Sequence, residues 1–515
     1  MQRHEIDSAA AALWLVLPAA GWLAAAYALG LPLRPMPQAL TIALRSTPAS
    51  SVLMAGLLTG GVLAAAGAWL LREFGDDGFR GEAYRRWLRG ARLANWHTVA
   101  ARVRAANRRE NARRRRCEPS RPALSAIRIG PMPMPLHLEN RNLLICASVG
   151  AGKSVAMESM MASTVRRRDR MVVVDPNGTF LSKFGFPGDV VLNPFDRRSV
   201  GWSVFNEVHA VHDFDRIARS VIPPQRDVTE EQWCAYARDV LADTMRKLVE
   251  TNRPDQEALV DLLVREDGEA IRAFLVNTDS QGYFRDNAEK AIASVQFMMN
   301  KYVRPLRHLR AGDFSLHRWV QDPGGGNLFL TWREDMRAAQ RPLIATWIDT
   351  ICATMLSTPA GADTRLWLYL DELDALGMLE SFVPAATRGR KHGVRMVASI
   401  QDWAQLDQTY GRDAARTVLA CFRNYLIFGA SNACNAQKAS EILGRQHVER
   451  RRVTASQRGA SRQVQASPPE PAVLDAEIAN LKDLTGYVAF AEDFPVARIS
   501  IPYVDYPERM APIQT

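Results

Sequence analysis

Eight residues, Ala147-Ser-Val-Gly-Ala-Gly-Lys-Ser154, constrain this chain more than any other stretch. They join an apolar run, Leu143-Leu-Ile-Cys-Ala147, to a helical pattern from Val155 to Thr164. Glycines and small residues at this spacing let a backbone curl around a phosphate, with the following helix presenting its N-terminal N–H groups to the anion. Ala147, Ser148, Val149, Gly150, Ala151, Gly152, Lys153 and Ser154 are therefore the expected nucleotide-binding residues. The N–H groups from Val149 to Lys153 would cradle the phosphates, and Lys153 would reach the β- and γ-phosphates. The Ser154 hydroxyl would ligate Mg²⁺. Ala147 stands where the strict pattern has glycine.

A second apolar strand, Leu366-Trp-Leu-Tyr-Leu-Asp-Glu372, ends in two carboxylates. At such a strand end Asp371 would hold the same Mg²⁺ through water, and Glu372 would polarise the attacking water. The two motifs together predict a P-loop NTPase that takes ATP and Mg²⁺.

Three further positions each carry two readings. Gln401 ends the strand Arg395–Gln401, where it would touch the γ-phosphate or its water, or simply cap the strand. Arg390 lies in Arg388-Gly-Arg-Lys-His-Gly393. It would serve as an arginine finger across a subunit boundary, stabilising charge on the transferring phosphoryl group, or it belongs to a plain basic loop. Asp175 opens Asp175-Pro-Asn-Gly178 and either orients a metal-bound water or starts a turn, with the turn preferred. Trp202, Trp332 and Trp347 sit among apolar neighbours and read as core. The six cysteines are scattered without a Cys-x-x-Cys pair, and read as reduced thiols rather than a metal site.

Ala9 to Leu29 and Ser51 to Leu71 carry no charge and are each long enough to cross a bilayer as a helix. A mixed-sign opening, Met1-Gln-Arg-His-Glu-Ile-Asp7, and a second span directly after the first favour two retained helices over a cleaved signal peptide. From Arg72 to Arg116 there are fourteen arginines against five acidic residues, whereas the connection between the spans holds only Arg34 and Arg45. The positive-inside rule then places the body of the chain and both termini in the cytoplasm. The same segment accounts for nine of the ten surplus charges of the whole chain. The basic character is thus a property of the membrane-proximal segment and gives no evidence of a DNA-binding face elsewhere.

The expected organisation is α/β. Residues 1–72 form a transmembrane module and 73–125 a basic juxtamembrane segment. Residues 126–206 and 322–515 form a RecA-like nucleotide-binding domain, with 207–321 inserted as an all-α domain. Short apolar strands separated by helices predict a mostly parallel sheet covered on both faces. They are Leu143–Ser148, Met171–Asp175, Asn327–Trp332, Leu366–Glu372, Arg395–Gln401 and Tyr425–Ala430. Tyr487–Ala491 and Ala497–Tyr503 read as an antiparallel hairpin on the sheet edge. Arg451 to Pro471 is polar and reads as a mobile loop.

Together these features resemble the type IV secretion coupling proteins, conjugative DNA-transfer ATPases of the TrwB/TraD type. The likeness rests on the two nucleotide motifs and on several ordered stretches. These are Met171-Val-Val-Val-Asp-Pro-Asn-Gly178, Leu192-Asn-Pro-Phe-Asp196, Gly201-Trp-Ser-Val-Phe-Asn206, Gly326-Asn-Leu-Phe-Leu-Thr-Trp-Arg-Glu-Asp335, Gly389-Arg-Lys-His-Gly-Val-Arg395, Gln401 and Glu477-Ile-Ala-Asn-Leu481. The resemblance implies a homo-hexameric ring at the inner membrane that pumps single-stranded DNA, and also contacts double-stranded DNA. It further implies partners among relaxase and relaxosome proteins and the proteins of the secretion channel. Under it Lys153, Ser154, Asp371, Glu372, Arg390 and Gln401 inherit the nucleotide roles given above. The competing readings are a nucleotide-controlled receptor for protein substrates of such a channel and an FtsK-like DNA translocase. The second predicts more spans, a long linker and a C-terminal winged DNA reader, none of which is visible in the sequence.

Overall fold

The computed structural model describes residues 3–31, 45, 47–74, 85–120, 122–284, 289–359, 365–456, 459–466 and 468–514. The chain divides into two compact units, Met1–Arg92 with Gly444–Ala472, and Leu93–Leu443 with Val473–Thr515.

The first unit holds both apolar helices, Arg3–Ala28 and Ser51–Phe74. Stretches Ala11–Ala28 and Ser51–Leu70 are long and apolar enough to cross a membrane. The helices run antiparallel, with Gly21 against Gly56, Leu17 against Gly60 and Leu13 against Gly67. A Cβ on Gly60 would lie 2.3 Å from the Leu17 carbonyl oxygen, so the absence of a side chain is what lets the backbones meet. Close approach through small residues is how helices associate where lipid removes the hydrophobic drive.

The same unit corrects one expectation. Residues 451–471 are not a structureless loop: Arg445–Ser456 pairs antiparallel with Gly459–Ala466, and Arg85–Gly90 and Glu470–Pro471 pair with the first of these strands. The ladder is held by main-chain hydrogen bonds, which any sequence supplies. It was hidden because Gln446-His-Val-Glu-Arg-Arg-Arg452 shows no apolar run.

The second unit is built on a ten-stranded sheet. Across it lie Leu93–Asn95, Val496–Ser500, Thr485–Ala489, Asn424–Ile427, Leu143–Cys146, Val394–Ile400, Leu366–Leu370, Arg170–Pro176, Leu328–Trp332 and Val190–Leu192. Every pairing from Asn424–Ile427 to Val190–Leu192 is parallel. The strands expected from sequence are present, with ends moved by up to three residues. The hairpin is antiparallel as expected but does not form the edge, because Leu93–Asn95 adds in parallel beside Val496–Ser500. Three residues in an arginine-rich segment give no periodic signal.

Alternation along each buried strand divides the core into two layers. Leu144 and Cys146 pack on one face with Val172 and Val174, and Leu143 and Ile145 on the other with Met171 and Val173. Trp202, Trp332 and Trp347 are buried in the first layer, where Trp202 meets Trp347 edge-on at 6.0 Å between ring centres. The helix Trp96–Cys117 begins at Asn95, whose side chain caps the His97 N–H, and buries Val99, Ala100 and Val103 against the second layer. Part of the segment 73–125 is thus integral to this unit.

Between the strands Val190–Leu192 and Leu328–Trp332 the chain is helical, chiefly Asp213–Val221, Val228–Glu250 and Glu289–Tyr302. Asp227, Asp255 and Asp267 each cap a helix N-terminus in this region. Its two ends are stitched together. The buried Glu207 carboxylate accepts from Trp202 Nε1 at 2.8 Å, Leu316 N at 2.6 Å and His317 N at 2.9 Å. Gly201 and Gly312 lie in backbone contact, and a Cβ on Gly201 would fall 2.2 Å from the Ala311 carbonyl oxygen. The result is a RecA-like NTPase fold with an inserted helical domain, preceded by two apolar helices.

At the amino ends of the parallel strands sits a buried ionic cluster. Glu139, with no exposed surface, receives Arg167 at 2.6 Å, Arg365 at 3.3 Å and Arg395 at 3.4 Å. Burial, reinforced by the Arg395 and Arg167 charges, lowers the Arg365 guanidinium to about 10.

Candidate nucleotide site

Parallel α/β sheets place ligands at the carboxyl ends of their strands, and there the expected residues converge. The loop after Leu143–Cys146 is anchored at its base: Ala147 N donates to Ile400 O at 3.2 Å, and Ser148 N and Oγ donate to Gly429 O at 3.0 and 2.8 Å. Gly150 and Gly152 take positive φ of 78° and 113°, which side chains disfavour. A Cβ on Gly152 would also meet the Leu484 side chain at 2.8 Å, so this position is held from both sides. Ala151 N bonds within the loop to Ser148 O at 3.3 Å. The N–H groups of Val149, Gly150, Gly152 and Lys153 find no acceptor among the described residues, and the helix Lys153–Arg167 starts directly behind them. A loop with this many open donors at a helix N-terminus is an anion cradle.

Lys153 Nζ lies 3.1 Å from Asp371 Oδ1 and 3.4 Å from Glu372 Oε1. Ser399 Oγ fixes the acidic pair, donating to Asp371 Oδ1 at 2.8 Å and accepting from Glu372 N at 3.0 Å. Gln401 Nε2 donates to Glu372 Oε1. Arg337, at the start of the helix Arg337–Ser357, approaches Glu372 Oε2 at 3.6 Å and Glu334 at 3.0 Å. Glu372 itself adopts left-handed backbone, φ 58° and ψ 64°, a strained state for a side chain of this kind. That bend turns its carboxylate away from the strand direction and toward Lys153 and Gln401.

Lys153, Asp371, Glu372 and Gln401 therefore meet in one cluster. Ser154, next to Lys153 on the exposed first turn, makes no hydrogen bond among the described residues. A free hydroxyl and a neighbouring carboxylate are hard oxygen donors, the set that suits Mg²⁺.

Arg390 is not part of this cluster. It is exposed on the turn Gly389–His392, before the strand Val394–Ile400, whereas Gln401 follows that strand. Seven strand residues span about 23 Å, so Arg390 lies at the opposite end of the sheet from its own phosphate loop.

Asp175, at the end of Arg170–Pro176, is fully buried and accepts from Leu181 N at 2.7 Å, while its Oδ1 has no hydrogen-bond partner. Burial first, with the Asp371 charge adding to it, raises its carboxyl to about 7. It closes the turn into the helix Thr179–Phe184, the turn reading of the sequence. Sequence reasoning missed Ser399 and Arg337. Ser399 had a signal, a lone hydroxyl in the apolar run Met396-Val-Ala-Ser-Ile400. Arg337 had none, because a helix from elsewhere in the chain delivers it.

Comparison with known proteins gives the family. The family described as the type IV secretion-system coupling protein DNA-binding domain matches residues 126–502. The coupling protein TraD of Escherichia coli K12 is 27% identical over 405 residues, which are 75% of this chain and 56% of TraD. The chain thus spans about half the length of that relative. Among solved structures, the bacterial conjugative coupling protein TrwB lacking its N-terminal 70 residues aligns at 37% identity. It covers 85% of this chain and 99% of its own, with a TM-score of 0.77. TrwB in complex with ADP and Mg²⁺ aligns at 36% identity and TM-score 0.75, covering 85% of this chain and 99% of that one. Its complex with a non-hydrolysable ATP analogue gives 36% and 0.76 over the same shares. Because the match to that family spans residues 126–502, well over half of the chain, this protein belongs to the type IV secretion-system coupling protein family.

Proposed function

We propose that this chain is an inner-membrane ATPase that couples Mg²⁺-ATP hydrolysis to the movement of single-stranded DNA toward a type IV secretion channel. The observation that carries the reading is the contact of Lys153 with both Asp371 and Glu372, at 3.1 and 3.4 Å, beneath a loop of open N–H donors. Lys153 and the loop bind the triphosphate, Ser154 and Asp371 hold Mg²⁺, and Glu372 takes the proton of the attacking water. Gln401 orients Glu372 by its hydrogen bond. The metal, when bound, neutralises charge on the phosphate oxygens. Arg390, distant from its own site, completes the site of a neighbouring subunit in a homo-hexameric ring. The DNA-binding domain that gives the family its description, and the conjugative role of its relative TrwB, support DNA as the transported polymer. A relaxase bound to that DNA, double-stranded DNA at its entry and the channel proteins are the corresponding partners. The two apolar helices anchor the motor in the inner membrane, with its bulk cytoplasmic.

Full-length protein in detergent should hydrolyse ATP faster when single-stranded DNA is added, and Lys153→Ala should abolish turnover while melting like wild type without nucleotide. Turnover indifferent to DNA would favour a receptor for protein substrates, and substantial turnover by Lys153→Ala would remove the loop from the mechanism.

A further inference from the structure

A cavity of about 450 Å³ lies on the second unit, away from the nucleotide site, between the helices Trp96–Cys117 and Lys153–Arg167. Four guanidinium groups line it, those of Arg104, Arg108, Arg128 and Arg166, and no carboxylate does. Arg104 and Arg108 are one turn apart on the same helix face. Arg128 is oriented by donating to the carbonyl of Pro131 at 2.9 Å. Arg104, Arg108 and Arg166 are exposed and have no acidic partner among the described residues. The contrast on the same helix is Arg113, which is paired with Glu110 at 3.0 Å.

The cavity walls are fixed by their own hydrogen bonds. Asn107 donates to Met134 O at 3.0 Å and accepts from Leu136 N at 2.8 Å, and Asn111 exchanges the same pair with Leu124 at 3.0 and 2.9 Å. Across the cavity, Ser163 Oγ accepts from Arg128 N at 3.3 Å, and Ser159 Oγ accepts from Gly130 N at 2.9 Å. Both asparagines are thus committed to structure, and the guanidinium groups remain for a ligand. Like charges gathered in a rigid concavity without counter-charge repel one another, and an anion that accepts from several planar forks at once relieves that repulsion.

We infer that this cavity binds the phosphodiester headgroup of an anionic phospholipid. The binding helix follows the second apolar helix closely in sequence, Trp96 coming 22 positions after Phe74. Basic clusters just cytoplasmic of a span recognise anionic headgroups. No aromatic side chain lines the cavity to stack a base, which favours a headgroup over a single-stranded nucleic acid.

The test uses full-length protein in detergent, titrated with dioctanoyl phosphatidylglycerol and followed by native mass spectrometry. One saturable site per chain is expected, weakened at least tenfold by Arg104→Gln/Arg108→Gln/Arg166→Gln, with no saturable binding of dioctanoyl phosphatidylcholine. The corresponding Arg→Lys set keeps the charge but not the fork, and should weaken binding at least threefold; it keeps the test decisive if the Gln set melts early. Equal binding by wild type and both variant sets would overturn the inference. So would displacement of the lipid by equimolar inorganic phosphate, which would mark a free-phosphate site. Displacement by an oligothymidine that is itself lost in the same variants would mark a DNA-backbone site instead.

Discussion

Asp175→Asn separates a buried carboxyl's charge from its role as a hydrogen-bond acceptor. In the folded chain burial raises this carboxyl to about 7, against an ordinary value of 3.8. Below about 4 the group is protonated in both folded and unfolded states and has no pH-dependent effect. Between about 4 and 7 the unfolded chain releases the proton while the folded chain keeps it, so stability contributed by the neutral form is lost as pH rises. The full difference, about three units, corresponds to roughly 4 kcal/mol above pH 7. Asn cannot ionise, and its carbonyl can still accept from Leu181 N, 2.7 Å from the native carboxylate oxygen. Its amide would occupy the position of the unpartnered Oδ1, and a buried donor without a partner costs about 1–3 kcal/mol at every pH. The readout is therefore the pH dependence of the difference, not its absolute size. Melting of wild type and variant should be compared between pH 4 and pH 8 in detergent, without nucleotide or Mg²⁺. The variant should gain on wild type by several degrees across that interval. Parallel curves would show that Asp175 is ionised in the folded protein and would refute the reasoning.

Glu372→Gln should keep ATP bound and lower turnover by about 10²–10⁴, since it removes the base and spares the phosphate cradle; filter binding and phosphate release measure the two separately, and near-normal turnover would exclude Glu372 as base. Arg390→Lys should be almost inactive, because a finger contributes roughly 10³–10⁵ in rate, yet activity should appear when it is mixed with Lys153→Ala, the two variants completing each other's sites. Mixed rings that stay inactive would assign Arg390 to a basic surface loop. Glu139→Gln should destabilise the second unit by about 3–5 kcal/mol, because it removes the buried carboxylate charge shared by Arg167, Arg365 and Arg395; unchanged melting would show that water reaches the cluster.

The nucleotide loop, the acidic strand end and the parallel strands were legible because each is local. A run such as Leu366-Trp-Leu-Tyr-Leu370 carries its burial in its own composition. What escaped is what partners supply. Leu93–Asn95 is a strand only because Val496–Ser500 offers it an edge. Gly459–Ala466 is one only because Arg445–Ser456 lies opposite. The site shows the same division. Lys153 and Asp371 stood in recognisable spacing, whereas the Ser399 bridge and the approach of Arg337 depend on neighbouring strands and on a helix remote in sequence. Arg390 was found by its sequence neighbourhood, but its separation from its own phosphate loop became visible only with the strand between them placed.

The stitch at Glu207 makes the helical region a graftable cassette. The chain leaves the sheet and comes back through one narrow gate, where Gly201 touches Gly312 and one carboxylate holds the returning turn. Because the cost of closing a loop grows only with the logarithm of its length, the region behind that gate can lengthen, shrink or acquire a new surface while the strands on either side keep their register. Asp213–Val221 packs into the core shared with the sheet, and Ser220 bonds the Asp349 carboxylate of the helix Arg337–Ser357. An exchange of this region between coupling proteins should therefore keep that first helix and replace what lies behind it, and nucleotide binding should survive.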